Sequence, residues 1–354
     1  AGRSTKAEAD RLASARVWQA KKAEAGLAAI TWPTEFGGLG GTPIQSVIYS
    51  QEESNFEVPG GFFDIGLGMC IPTMMAWATK EQNERFVKPA LYGEEIWCQL
   101  FSEPSAGSDV AGLRTKAERD GDDWVINGQK VWTSGAHYCD YGIIVTRSDP
   151  NAPKHKGLTF FFLDMKSPGI EVRPIKQISG ESNFNEVFFN EARTAKENVL
   201  GGVNNGWAVA NTLLAYERGD DATTNGIRYG EEWQRLVEVA RSYKKLDDPV
   251  MRQRFTAAYT TTQIMKFMGL QTVARSMRGY SQGPESSLNK LLWSEHHHRF
   301  TELAMDVIGM DAPGRVERRH TREIDESVAI FHDAPAVFAA IIRATGIGVH
   351  GNGR

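Results

Sequence analysis

Residues 96–134 read IWCQLFSEPSAGSDVAGLRTKAERDGDDWVINGQKVWTS, and this stretch decides the architecture. It opens on an apolar run, Ile96-Trp97-Cys98-Gln99-Leu100, with the composition of a strand. FSEPSAGSDVAGLRT, Phe101 to Thr115, follows at once and sets Ser, Gly, Pro and two acids beside a Phe. Small hydroxyl residues and glycine directly after a strand point to a loop that brings backbone and hydroxyl donors close to a ligand. The two common phosphate loops are excluded. No Gly-Lys-Ser/Thr follows, and Gly107 is the only glycine before Gly112, so no G-x-G-x-x-G can form.

Working outward, the segments 97–103, 114–120, 122–128, 129–135, 141–148, 157–165, 169–176 and 185–193 are short, mostly rich in β-branched or aromatic residues, and separated by turn residues. Eight such segments predict a small β-barrel or sandwich. Asn127-Gly128, between WVI and KVW, predicts a type I′ hairpin turn. On either side the pattern is helical: AEADRLASARVWQAKKAEAGLAAI and KEQNERFVKPALYG before, and most of the chain after Gly206. The expected fold is therefore α+β. An N-terminal α-helical domain (1–95) precedes a middle β domain (96–203) and a C-terminal α-helical bundle (204–354).

Composition narrows the function classes. The 354 residues carry a net charge of −4, which gives no reason to expect nucleic acid or an anionic membrane as partner. No apolar run approaches the roughly 18 residues of a membrane span, and the opening AGRSTKAEADRLASARVW has no apolar signal core. The chain opens at Ala1 rather than a methionine, as a processed or incomplete chain would. Cys70, Cys98 and Cys139 are an odd, scattered set without metal-ligand spacing. A reducing compartment is expected, the bacterial cytoplasm or alternatively the mitochondrial matrix. The run His296-His297-His298 lies in a helical stretch, where adjacent residues face different ways, and is expected to be mostly solvated rather than a metal site.

The helix–β–helix order, Ser102-Glu103-Pro104-Ser105-Ala106-Gly107-Ser108-Asp109, and Asn127-Gly128-Gln129-Lys130-Val131-Trp132-Thr133-Ser134 together resemble the acyl-CoA dehydrogenase superfamily. That family carries [T/S]-E-P-x-A-G-S-D followed by N-G-x-K-x-W-[I/T]-[T/S]. FFNEARTAKENVLG and NNGWAVANTLLAYER resemble its exit from the β domain and the start of its C-terminal bundle, so the likeness spans residues 10–310. The resemblance implies FAD as cofactor and an acyl-CoA thioester as substrate, dehydrogenated to a 2-enoyl-CoA. It places the backbone of Phe101 and the hydroxyl of Ser102 at the pyrimidine edge of the flavin. Gly107 would make room for the cofactor, Trp132 would pack beside its ring, and Ser134 would bond near N5. Ser108 and Arg218 would contact CoA.

For the catalytic base the family uses two alternative Glu positions, one of them in L-x-x-E-R, which Leu214-Ala215-Tyr216-Glu217-Arg218 matches. Ala210, Leu213, Leu214 and Glu217 are spaced i, i+3, i+4, i+7, which predicts Glu217 on the apolar face of a helix. A carboxylate there is either the base or the partner of a nearby basic residue. The tail departs from the family. From about Gly314 the match is poor, and RATGIGVHGNGR (343–354) stands where R-x-x-T-I-x-G-G-T-S-E is expected.

Electron-transfer flavoprotein is the implied electron acceptor, and a homotetramer or heterotetramer the implied assembly. Two alternatives stay open: an oxygen-reactive relative, either an acyl-CoA oxidase or a flavin monooxygenase, and a non-catalytic or partner-dependent subunit.

Overall fold

The computed structural model describes residues 6–177, 180–217, 221–280 and 286–309. The chain divides into two compact units, residues 1–39 with 59–217, and residues 40–58 with 218–354.

The first unit begins with α1 (Lys6–Glu24) and continues through α3 (Ile71–Trp77) and α4 (Lys80–Leu91). Thr79 caps α4 in a reciprocal box: its hydroxyl accepts from the Gln82 amide at 3.3 Å, and the Gln82 side chain accepts from the Thr79 amide at 2.9 Å. Eight strands follow: β1 (Trp97–Leu100), β2 (Lys116–Asp120), β3 (Asp123–Ser134), β4 (Tyr141–Arg147), β5 (Leu158–Asp164), β6 (Ile170–Ile175), β7 (Phe184–Ala195) and β8 (Val199–Leu200). They form one sheet in the order β6-β7-β3-β2-β4-β5-β8, with β1 pairing in parallel beside β4. The hydroxyl of Thr194 on β7 donates to the carbonyl of Phe162 on β5 at 3.1 Å, a contact between strands far apart in that order. The sheet therefore rolls over on itself, as the barrel expectation requires.

The middle of the sheet is apolar throughout, because β4 and β5 are covered on both faces. Ile143, Ile144, Val145, Phe160 and Phe161 are all fully buried. Each such side chain stabilises the fold by about 1.5–3 kcal/mol relative to exposure. α5 (Gly206–Glu217) closes the unit and lays Val209, Ala210 and Leu213 into the same core cluster as Phe101, Ala106, Ala111 and Leu113 of the loop after β1. The helix and the loop are thus fixed against one shared core.

The hairpin expected at Asn127-Gly128 is not there. β3 runs unbroken through both residues, and the turn lies earlier, at Gly121-Asp122 between the paired Asp120 and Asp123. Gly121 is left-handed (φ +62°), whereas Gly128 has φ +151°, outside the I′ region. Gly128 is required for a different reason. A Cβ on it would lie 2.7 Å from the Thr115 Cα and 2.5 Å from the Thr115 hydroxyl, so only glycine admits the neighbouring strand. Asn127 reaches across to β7, donating to the Glu191 carboxylate at 2.8 Å and accepting from the Glu191 amide at 2.9 Å. The dipeptide marks a bulge, with a register shift between Ile126 and Gly128.

The second unit contains α2 (Pro43–Glu53), α6 (Asp221–Ser242), α7 (Pro249–Met277) and α8 (Ser286–Ile308). Asp248 caps α7 by accepting from the Val250 amide at 2.8 Å, and Pro249 fills the first helical position. Leu236, Ala240, Met251, Phe255, Phe300, Leu303 and Val307 make its core. His296 corrects the expectation of a solvated histidine run: it is buried, His297 is half-buried and His298 is exposed. Residues 296, 300, 303 and 307 fall on one helical stripe, so the first histidine shares the inner face of α8 with Phe300, Leu303 and Val307. Among the described residues no helix is long and apolar enough to cross a membrane, and no cluster of His, Cys, Asp or Glu is suited to a metal ion.

Candidate functional site

The loop after β1 is held to β3 by one buried cation. Lys130 is completely buried, and its ammonium donates to the Phe101 carbonyl at 3.0 Å, the Val145 carbonyl at 2.9 Å and the Glu103 carboxylate at 2.9 Å. Three acceptors match the three donors of an ammonium, so the charge is fully satisfied. Glu103 in turn accepts from the amides of Arg114 at 2.6 Å and Thr115 at 2.9 Å, closing the far end of the loop. A tight turn between, with the Glu103 amide donating to the Ala106 carbonyl and the Ala106 amide to the Glu103 carbonyl, both at 3.0 Å, puts Gly107 and Ser108 at an exposed tip.

Burial lowers the Lys130 pKa to about 8, against the charge of Glu103. Burial alone would raise the Glu103 carboxyl. The charge of Lys130 and the bonds it accepts outweigh that and hold it below its ordinary value. Near neutral pH both partners are therefore ionised.

Next along β3 comes Trp132. Its backbone is left-handed (φ +60°), and the residue is 58% exposed although it stands in a strand. A second register shift between Lys130 and Thr133 accompanies this conformation. Left-handed backbone costs a bulky L-residue roughly 1–2 kcal/mol, and an exposed Trp returns little of that by burial. Strain of this kind collects at functional sites. The indole packs edge-on against Phe184 with ring centroids 6.1 Å apart. Immediately before it, the Val131 amide donates to the Ser102 carbonyl at 2.8 Å. Phe101, Ser102 and Trp132 are thereby drawn to one place. Ser134 is half-buried opposite Phe184 of β7, and the buried Thr133 hydroxyl beside it has no hydrogen-bond partner.

Glu217 is the last residue of α5. The predicted apolar stripe is real for Ala210 and Leu213, which are buried, and Leu214, which is half-buried. It runs out of the core in the final turn, so Glu217 is exposed rather than enclosed. Arg218 and the divergent tail, 343–354, lie outside the described residues.

Three family models match the chain in succession: the N-terminal domain of acyl-CoA dehydrogenase over residues 3–94, its middle domain over 98–192 and its C-terminal domain over 204–324. Acyl-CoA dehydrogenase IpdE1 of Mycobacterium tuberculosis is 40% identical over 294 residues, covering 83% of this chain and 76% of that protein. The chain belongs to the acyl-CoA dehydrogenase family. It is an oxidoreductase of that family, whose members are flavoproteins of lipid metabolism. Among solved structures, the Tcur3481-Tcur3483 steroid acyl-CoA dehydrogenase superposes with a TM-score of 0.77 at 28% identity, covering 85% of this chain and 77% of that one. The ChsE4-ChsE5 complex of Mycobacterium tuberculosis gives 0.74 at 25% identity, covering 96% and 90%. Both are assemblies of two named proteins.

Sequence reasoning missed the Lys130–Glu103 pair. Both residues stand inside the quoted motifs, but they are 27 positions apart, and no local pattern joins them. The only signal was a lysine beside Val131 and Trp132 in a strand otherwise built for burial.

Proposed function

We propose that this dehydrogenase uses FAD to convert an acyl-CoA thioester into the 2-enoyl-CoA, with Glu217 as the base. Trp132 carries the reading: an exposed aromatic wall on strained backbone, next to the Val131 amide that holds the Ser102 carbonyl. Such an indole fits a flat, aromatic ligand better than it fits an ordinary strand surface. The space in front of Gly107 is open as well; a Cβ there would touch nothing within 4 Å. The residues present therefore fit a flavin.

When bound, FAD would supply the acceptor for the hydride lost from the substrate's β-carbon. The protein's part is positioning and proton removal. Trp132 and the Phe101–Ser102 backbone would hold the ring, with Ser134 as a further hydroxyl donor. Ser108 at the loop tip and Arg218 after α5 serve the CoA phosphates. Glu217 takes the α-proton, which the thioester carbonyl acidifies. A carboxylate is a weak base in water, and Glu217 stands exposed at the end of its helix. Substrate lying over it would exclude water and strengthen it.

Because the Tcur3481-Tcur3483 relative is a steroid dehydrogenase, thioesters of steroid-derived acids head the substrate panel. Its two-protein assembly, and that of ChsE4-ChsE5, favours a heteromeric partner over a homotetramer. Electron-transfer flavoprotein is the electron acceptor in this reading.

The test is an anaerobic titration of the FAD-loaded protein with straight-chain, branched and steroid-derived acyl-CoAs. Bleaching of the flavin band by one class identifies the substrate. Glu217→Gln should bind the same thioester and lower the rate of bleaching by about 10²–10⁴, the usual contribution of a general base. No bleaching by any thioester, or an unchanged rate in the Gln variant, sinks the assignment.

A further inference from the structure

At the start of the loop from Phe101 to Thr115 the backbone carbonyls are taken by β3, one of them by Lys130. Two adjacent carbonyls begin the loop. The Phe101 carbonyl is taken by the Lys130 ammonium at 3.0 Å and the Ser102 carbonyl by the Val131 amide at 2.8 Å. Among the described residues the Ser102 amide donates to no backbone carbonyl. Both carbonyls are thus engaged within the fold. A peptide carbonyl is as strong a hydrogen-bonding group as the amide beside it. Freeing the one at Phe101 would therefore present an acceptor beside the loop's donors.

We propose that Lys130 is a positioning residue of the ligand site: it takes up the Phe101 carbonyl and fixes the start of the loop against β3. The proposal rests on the flavin reading above, since the pyrimidine edge of an oxidised flavin presents the acceptors N1, O2 and O4 beside a single N3–H donor, and the donors at the start of the loop would meet those acceptors. The geometry supports it from three sides. Lys130 spans β3, the loop and β4 through Val145, so one side chain locks three segments. Glu103, the counter-charge, holds the amides of Arg114 and Thr115 and so fixes the other end of the same loop. The strained Trp132 lies two residues from Lys130, so the aromatic wall and the donor edge are set by one anchor. A fully buried ammonium is costly. A Met of similar volume would fill the site at no such cost while leaving the Phe101 and Val145 carbonyls without the ammonium and Glu103 without its counter-charge.

The experiment titrates apo protein with FAD, following flavin fluorescence and the shape of the visible band. It uses wild type, Lys130→Met, Glu103→Gln and, as a control, Gln19→Met. Gln19 is also buried and donates to the Leu91 carbonyl at 2.7 Å, but it belongs to α1, away from the loop. All three variants should unfold at lower temperature than wild type. Lys130→Met should bind FAD at least about tenfold more weakly and blur the fine structure of the band, as a displaced donor edge would. Glu103→Gln should weaken binding about threefold or more, because the ammonium keeps its two carbonyls but loses its counter-charge. Gln19→Met should leave affinity and band shape unchanged.

If Lys130→Met binds FAD as well as Gln19→Met with the same spectrum, Lys130 is a stability residue only and the proposal falls. Should Lys130→Met not fold, wild-type affinity in Glu103→Gln overturns it equally. A wild-type protein that binds no FAD removes the flavin reading itself, a failure distinct from the other two.

Discussion

Trp132→Gly separates a residue kept for the fold from one kept for a ligand. Less than half of the residue is covered, since 58% of it is exposed. A Trp buries about 150–250 Å² when fully covered. The covered part is thus worth roughly 2 kcal/mol at about 25 cal/mol per Å², and less against a compact denatured state. Glycine adopts φ +60° freely, so the substitution returns about 1–2 kcal/mol of backbone strain. It gives back a few tenths to 1 kcal/mol through the freer unfolded chain. The expected net cost to the apo protein is between about 0 and 2 kcal/mol. Trp97→Ala is the comparison. That residue is 1% exposed and stacks on Tyr141 with centroids 5.0 Å apart, and truncating it should cost about 3–5 kcal/mol. Urea unfolding of the apo variants followed by circular dichroism reads the difference as a shift in midpoint. FAD binding should rank them in the opposite order, with Trp132→Gly at least about tenfold weaker although it is the more stable. If Trp132→Gly is as destabilising as Trp97→Ala, the indole is a packing residue and the strain argument is wrong. If it binds FAD like wild type, the aromatic wall is not part of the site.

Two further predictions concern the scaffold. Gly128→Ala should destabilise the first unit by about 2–4 kcal/mol, because its Cβ would meet the Thr115 backbone and the residue would keep a positive φ; a loss under about 1 kcal/mol in urea would show that β2 can move aside. In the second unit, burial, with His297 and Arg299 nearby, lowers the His296 pKa from its ordinary 6.5. The unfolded chain then takes up a proton at His296 that the folded chain refuses, so its contribution is complete above pH 6.5 and is lost as the pH falls below it. A cavity of about 300 Å³ beside His296 leaves room for a larger ring. His296→Phe should therefore flatten the fall in melting temperature on acidification below pH 6.5, and an unchanged slope would place the acid sensitivity elsewhere.

Much of this protein could be read from local pattern. The apolar run at Ile96–Leu100, the helical period on either side of the β segments and the small-residue loop all report properties of neighbours in sequence. Residues a few positions apart share a face or a strand and must agree on it. The family resemblance was legible for the same reason, because its two motifs are contiguous. Tertiary structure decided what depends on residues distant in the chain. Asn127-Gly128 has the composition of a hairpin turn, but Thr115 passing alongside and Glu191 reaching across make it a bulge within one long strand. His296 is one of three adjacent histidines, and only the packing of α8 decides which of them is buried. The apolar spacing put Glu217 on the inner stripe of α5, yet the helix leaves the core one turn too early to enclose it. Lys130 and Glu103 are 27 residues apart, and a buried charge is tolerable only when the fold delivers every one of its partners at once. Sequence determined the elements and the candidate chemistry by itself; burial, strain and the pairing of distant charges came from the fold, because each is a property of the company a residue keeps in space.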